Sequence, residues 1–194
     1  MIIAAAQDTG GEAAAGTWYD QANCTYVTLI DDKHTISSLF NLVNVPSAVW
    51  IDESSCVVRI DEGTYATKHS INGFEFGRED YAAIVRDWVK NGEESTYVGD
   101  SAAFTKHLRQ LSRDEATADA AFKLGVYFFK TGNRKKADQY WEQAQRLNPN
   151  SWNYHRQDWT FDGDQAAGAN WAARVQQRAG KVYYEPIVGL DPPP

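Results

Sequence analysis

The residues able to carry chemistry are few. Two cysteines, Cys24 and Cys56, are too far apart for a CxxC pair and too few for a disulfide scaffold. A reactive thiolate wants a helix N-terminus or a cationic neighbour. The pattern puts Cys24 in a helix-to-strand loop and Cys56 at a hairpin turn, so both are expected to be small buried hydrophobes and only candidate thiols. The four histidines, His34, His69, His107 and His155, read as sitting alone without a second ligand at i+3 or i+4, and no metal site is expected. No Ser-His-Asp spacing, phosphate-cradling glycine loop or carboxylate pair stands out. Asn23-Cys24-Thr25 matches a glycosylation sequon, a match too common by chance to count. No cofactor is implied by any of these residues. The most informative single residue is Pro46 in "FNLVNVPSAVWIDESSCVVRI", because it opens an apolar strand although proline cannot donate a ladder hydrogen bond.

The chain that must position these residues has 194 of them, enough for one or two domains with a real core. Hydrophobic residues make up 43 % and aromatic residues 13 %, which argues against disorder. A net charge of −7 argues against nucleic acid as a partner, and the one basic cluster, Arg134 to Lys136, reads as a solvated helix face. No stretch approaches the roughly 20 apolar residues of a membrane span, and "MIIAAAQDTGG" has neither the charge nor the length of a secretory leader. As written, the chain is expected to be cytoplasmic.

Residues 2–6 read as a short buried strand and residues 12–23 as a helix, followed by an extended "YVTLIDD". Asp32 is expected to cap a helix carrying Ile36, Leu39, Phe40 and Val43 on one face. "SAVWID" and "CVVRID" form a hairpin, and residues 63–77 read as loop. Tyr81, Ile84, Val85, Trp88 and Val89 make an amphipathic stripe that Gly92 closes. The break "NGEESTYVGDS" is the expected domain boundary. Beyond it the pattern is helical from about Ser101 to Leu147, and the Pro-rich tail is expected to fray.

Leu124, Gly125, Phe128, Gly132, Ala137, Trp141, Ala144 and Pro149 fall where a tetratricopeptide repeat places its large and small residues, with Ala121 where that motif usually has Trp. Small residues at 125, 137 and 144 would let two antiparallel helices approach, with Phe128 and Trp141 between them and Gly132 at the turn. A lone helix pair cannot bury its apolar face. The aromatic segment that follows (Trp152, Tyr154, Trp159, Phe161, Trp171, Tyr183, Tyr184) is the expected cover, together with a helix near residues 102–111. The same aromatics could instead form a groove for peptide or sugar.

The run "TYVTLIDDKHTISSLFNLVNVPSAVWIDESSCVVRI" resembles the thioredoxin-like redoxin family, the TlpA-like thiol-disulfide reductases and their alkyl-hydroperoxide-reductase relatives. The resemblance covers residues 1–62 and, more weakly, the helix at 78–90. It implies that Pro46 is cis and that Val45, before it, pairs with an extended peptide or thiol substrate. It also implies a central strand and a CxxC helix that this chain lacks and that would precede residue 1. The expected fold is an incomplete α/β thioredoxin-like domain over residues 1–92. A helical domain over residues 100–185 follows, with one tetratricopeptide-like motif at 121–149. The expected function is protein or peptide binding without redox activity, with Val45 and Pro46 as contacts and a homodimer as one form. The competing reading is a thiol-disulfide oxidoreductase or peroxide reductase whose active unit lies upstream or on a partner chain.

Overall fold

The structure is a computed structural model and describes residues 1–63, 68–71, 74–77, 79–99, 110–161 and 163–178. Among these residues the content is mixed α/β. In order the elements are β1 (Ile3–Ala6), α1 (Glu12–Ala22), β2 (Val27–Ile30), α2 (Thr35–Leu39), β3 (Ser47–Ile51), β4 (Val57–Glu62), β5 (His69–Ile71) and β6 (Phe74–Phe76). Then come α3 (Tyr81–Asn91), a 3-10 turn at Gly92–Glu94, α4 (Arg113–Lys130), α5 (Arg134–Leu147), α6 (Trp152–Thr160) and α7 (Asp164–Gln177). The strands form three separate pairs: β1 with β2 parallel, β3 with β4 antiparallel, and β5 with β6 antiparallel. The segment expected as loop over 63–77 thus contains a short hairpin, in which Phe-Glu-Phe supplies the strand-favouring alternation. The expected helix at 102–111, His107 and the tail with Tyr183 and Tyr184 lie outside the described residues, Gln110 and Leu111 excepted.

The chain divides into two compact units that are not consecutive. The first joins Met1–Val43 to Leu111–Ala167, and the second joins Asn44–Gln110 to Gly168–Pro194. A boundary at the 93–100 break would have put the first 43 residues with the hairpin. Instead they are tied to the helical segment by hydrogen bonds. Ser38 Oγ donates to Asp119 Oδ1 (2.6 Å), and the Trp152 and Asn153 amides donate to the Val43 carbonyl (2.6 and 3.1 Å).

Within the first unit, α4 and α5 pack through small residues. Ala118, Ala137 and Ala144 are fully buried, and a Cβ on Gly125 would come within 2.4 Å of the Trp141 ring. Gly132 makes the turn with φ 79°, a conformation that glycine adopts without steric cost. The apolar surface of the pair is covered by α6 and its end. Tyr154 stacks on Phe122 at 4.7 Å, and Phe161 stacks on Trp141 at 5.3 Å. The helix pair therefore finds the cover it needs in the aromatic segment that follows it. Ser112 and Glu115 form a reciprocal capping box at the start of α4.

The β1–β2 pair is less well covered. Residues alternate across the sheet, and the registers Ile3 with Val27 and Ala5 with Leu29 put these four on one face. All four are exposed, Ile3 at 53 % and Val27 and Leu29 at 47 % each. The strand over residues 2–6 is thus not buried as expected. The pair is tied to α1, because the Tyr19 hydroxyl of that helix reaches the Ala4 and Leu29 carbonyls (3.1 and 3.2 Å). Helix α2 is only five residues long and leaves Leu39 71 % exposed, so the expected four-residue apolar stripe does not form. Its cap is Asp31 rather than Asp32: the Asp31 carboxylate accepts from the Thr35 and Ile36 amides at 2.9 and 2.7 Å. Asp32 pairs instead with Lys130 of α4, which holds its carboxyl below the usual range.

In the second unit the β3–β4 hairpin packs on α3. Trp50, Val58 and Ile84 are its buried apolar core, and Trp50 lies flat against Trp88 at 4.8 Å. The α3 stripe is buried at Ile84 but leaves Val89 77 % exposed. Gly92 ends α3 with φ 55°.

Candidate functional site

The residues singled out by sequence lie in both units. The Val45–Pro46 peptide bond is cis. Val45 is half-buried and donates its N–H to Asn44 Oδ1 (2.9 Å), while Pro46 is exposed and its carbonyl accepts from Gly63 N (2.6 Å). The Val45 N–H is thus already engaged. Cys24 and Cys56 are free thiols in different units, and both are half-buried, not the buried hydrophobes expected. Cys56 Sγ lies 3.9 Å from the Ser54 carbonyl at the hairpin turn. No group of three or more His, Cys, Asp or Glu that could hold a metal occurs among the described residues.

Two further arrangements were not foreseen. One, in the second unit, centres on Arg59, which is wholly buried. Its Nε sits 2.9 and 2.8 Å from the two Asp61 carboxylate oxygens, its Nη2 2.7 Å from Oδ1, and its Nη1 donates to the Tyr97 carbonyl at 3.0 Å. The guanidinium also lies 5.5 Å from the Trp50 ring centre. The Trp50 indole donates to the Tyr81 hydroxyl (2.8 Å), and burial pushes the Tyr81 phenol up to about 12. A charge so fully matched by partners is a structural device.

The other arrangement lies within the first unit, at His34. The chain turns from β2 into α2 here. The Asp31 cap fixes the first turn of α2 and leaves His34 in the left-handed region, φ 56°. The ring is 3 % exposed, lies edge-on to Phe122 at 4.8 Å, and its Nε2 is 2.9 Å from Thr9 Oγ1. Thr9 in turn donates its amide to Gln157 Oε1 at 2.9 Å. Burial holds the His34 imidazole down at about 4, against the pull of Asp31 and Asp8, so the ring is neutral at pH 7.

His34 lines a pocket with a cavity volume of about 30 Å³, room for one or two water-sized groups. Its floor includes Phe122 and Tyr154, and its polar lining includes Ser37, Ser151, Asn153 and the carboxylate residues Glu115 and Asp119. Asn153 is 4 % exposed and its Nδ2 donates to the Leu42 carbonyl at 2.8 Å. Two buried polar atoms of this lining, His34 Nδ1 and Asn153 Oδ1, meet no hydrogen-bond partner among the described residues. Such atoms are rare in folded proteins, since each costs about 1–3 kcal/mol.

Sequence reasoning treated His34 as a lone histidine and passed over Asn153. The local signal was slight: an aspartate shortly before a helix marks a cap, but nothing within ten residues says that His34 is buried. That depends on Phe122 and Gln157, far along the chain. No protein-family model, no curated protein and no solved structure matches the chain.

Proposed function

We propose that this chain works as a protein- or peptide-binding module of thioredoxin-like kinship, without redox turnover of its own. The observation that carries this reading is the exposed face of the β1–β2 pair. Parallel strands normally have both faces covered, and an isolated two-stranded sheet is marginal in water. Here Ile3, Val27 and Leu29 lie side by side and half exposed, with Met1 and Ile2 exposed beside them. A partner segment laid on this face would bury apolar surface worth about 25 cal/mol per Å². Val45 and Pro46 remain the proposed contacts of the second unit for an extended segment. The helix pair of α4 and α5, of tetratricopeptide-like kinship in this reading, serves as scaffold.

The experiment is selection of binding peptides from a random displayed library on the full chain, followed by calorimetric titration of the selected peptides. The expected result is binding that falls roughly tenfold or more in Leu29→Lys. Peptides bound equally well by Leu29→Lys, or none selected at all, would overturn the reading. A sedimentation mass equal to one chain at micromolar concentration would remove the homodimer form of it. Insulin reduction that disappears in a Cys24→Ser, Cys56→Ser double variant would replace it with the oxidoreductase reading.

A further inference from the structure

From the His34 pocket we infer a binding site for a small primary ammonium cation, the ammonium ion or the head of a primary amine, held by His34 Nδ1 and Asn153 Oδ1 as acceptors. Four observations on the first unit point the same way. The first is that both atoms are polar, deeply buried and unpartnered among the described residues, and that both residues line one pocket. The second is the direction of the hydrogen bonds they offer. The Asn153 amide is oriented by its Nδ2 donation to the Leu42 carbonyl, so the atom left over is the oxygen, which can only accept. His34 is neutral and its Nε2 contacts the Thr9 hydroxyl; with Nε2–H donating there, Nδ1 presents a lone pair.

The third is charge. Glu115 and Asp119 both line the pocket, and among the described residues no lysine or arginine does. Asp119 is shared with Lys123 at 3.0 Å and Ser38 at 2.6 Å, and Glu115 accepts from the Ser112 amide at 2.8 Å. These partners hold the carboxylates without supplying a proton donor to Asn153 Oδ1 or His34 Nδ1. An anion is disfavoured at these two atoms, since it could only accept where acceptors are already waiting. The fourth is size. About 30 Å³ admits no more than one or two groups of the dimensions of a water, and an ammonium head is of that size. A guanidinium or a quaternary ammonium is not.

The test uses the intact chain labelled with ¹⁵N and titrated near pH 7 with ammonium chloride or methylammonium chloride. Sodium chloride and tetramethylammonium chloride at equal ionic strength are the controls. The expected result is an Nε2–H tautomer of His34 and a saturable shift of its Nδ1 resonance with the two primary cations only. Asn153→Leu should weaken the binding roughly tenfold or more, as loss of a hydrogen bond to a charged group does. Asp119→Asn should weaken it severalfold. Asn153→Leu also loses the bond to Leu42 and could unfold the unit; Asp119 is partly exposed, and its conservative variant then decides. The inference is overturned by an Nδ1–H tautomer that persists at saturating ammonium, by equal shifts with sodium or tetramethylammonium, by a linear response without saturation, or by unchanged affinity in Asp119→Asn. Water alone in the pocket would give the linear response. The outcome is independent of peptide binding at the β1–β2 face, which Leu29→Lys reports separately.

Discussion

Two buried polar clusters, one in each unit, are satisfied in opposite ways. In the second, Arg59 is wholly buried and its guanidinium is matched by the Asp61 carboxylate, the Tyr97 carbonyl and the Trp50 ring. In the first, His34 and Asn153 are buried almost as deeply, yet among the described residues each leaves one polar atom unpartnered at the same pocket. A buried group with every partner in place rigidifies its surroundings, whereas one with an open valence is available to something else. The contrast separates a structural network from a candidate site without any appeal to resemblance.

The largest test of this contrast is Asp61→Ala. It leaves the Arg59 charge buried without its carboxylate, and the second unit is expected to lose about 3–5 kcal/mol of stability by urea denaturation. A loss below about 1 kcal/mol would mean that water already reaches the pair.

Next in size is a pH effect confined to the first unit. The His34 imidazole sits near 4 when folded against 6.5 when unfolded, so the unfolded chain binds the proton first. The stability from keeping the ring neutral is therefore fully present above pH 6.5. It is lost as pH falls from 6.5 towards 4, by about 3 kcal/mol in all. His34→Asn, which keeps a residue tolerant of positive φ but cannot titrate, should flatten that slope in thermal melts between pH 7 and 4. An unchanged slope would show that His34 is solvated.

Third is Gly125→Ala. A Cβ 2.4 Å from the Trp141 ring must push α4 and α5 apart, at a cost of about 1–3 kcal/mol. Because alanine is the better helix former by about 1 kcal/mol, a stabilised variant would mean that Trp141 can move aside. The smallest effect is expected from Ser112→Ala, which opens the capping box of α4 and should cost about 1 kcal/mol by denaturant midpoint. It touches neither the Arg59 network nor the pocket, and so sets the scale of a change that is only local.

Much of the architecture was legible because its cause is local. The alternation of "SAVWID" and "CVVRID" on either side of a turn can only be a hairpin, and β3 and β4 pair there. The small residues at 125, 137 and 144 and the turn at Gly132 foretell two closely packed helices, which α4 and α5 are. The helix expected after Asp32 misled for the same local reason: apolar residues at helical spacing suggested a longer element than the five residues that Asp31 caps. Leu39 had nothing to pack on and stayed in solvent.

What the sequence determined by itself was therefore periodicity and punctuation: where chain turns, which helices have a face, and the absence of a CxxC pair or a membrane-spanning run. What only the tertiary structure decided was which distant segments meet. The first 43 residues join the helices beyond residue 111, Thr9 meets Gln157 across 148 positions, and a lone histidine becomes the buried wall of a pocket. The physical reason is that amphipathic patterns specify a buried face but not its partner. Partner choice rests on shape and on hydrogen bonds between residues that no spacing rule connects.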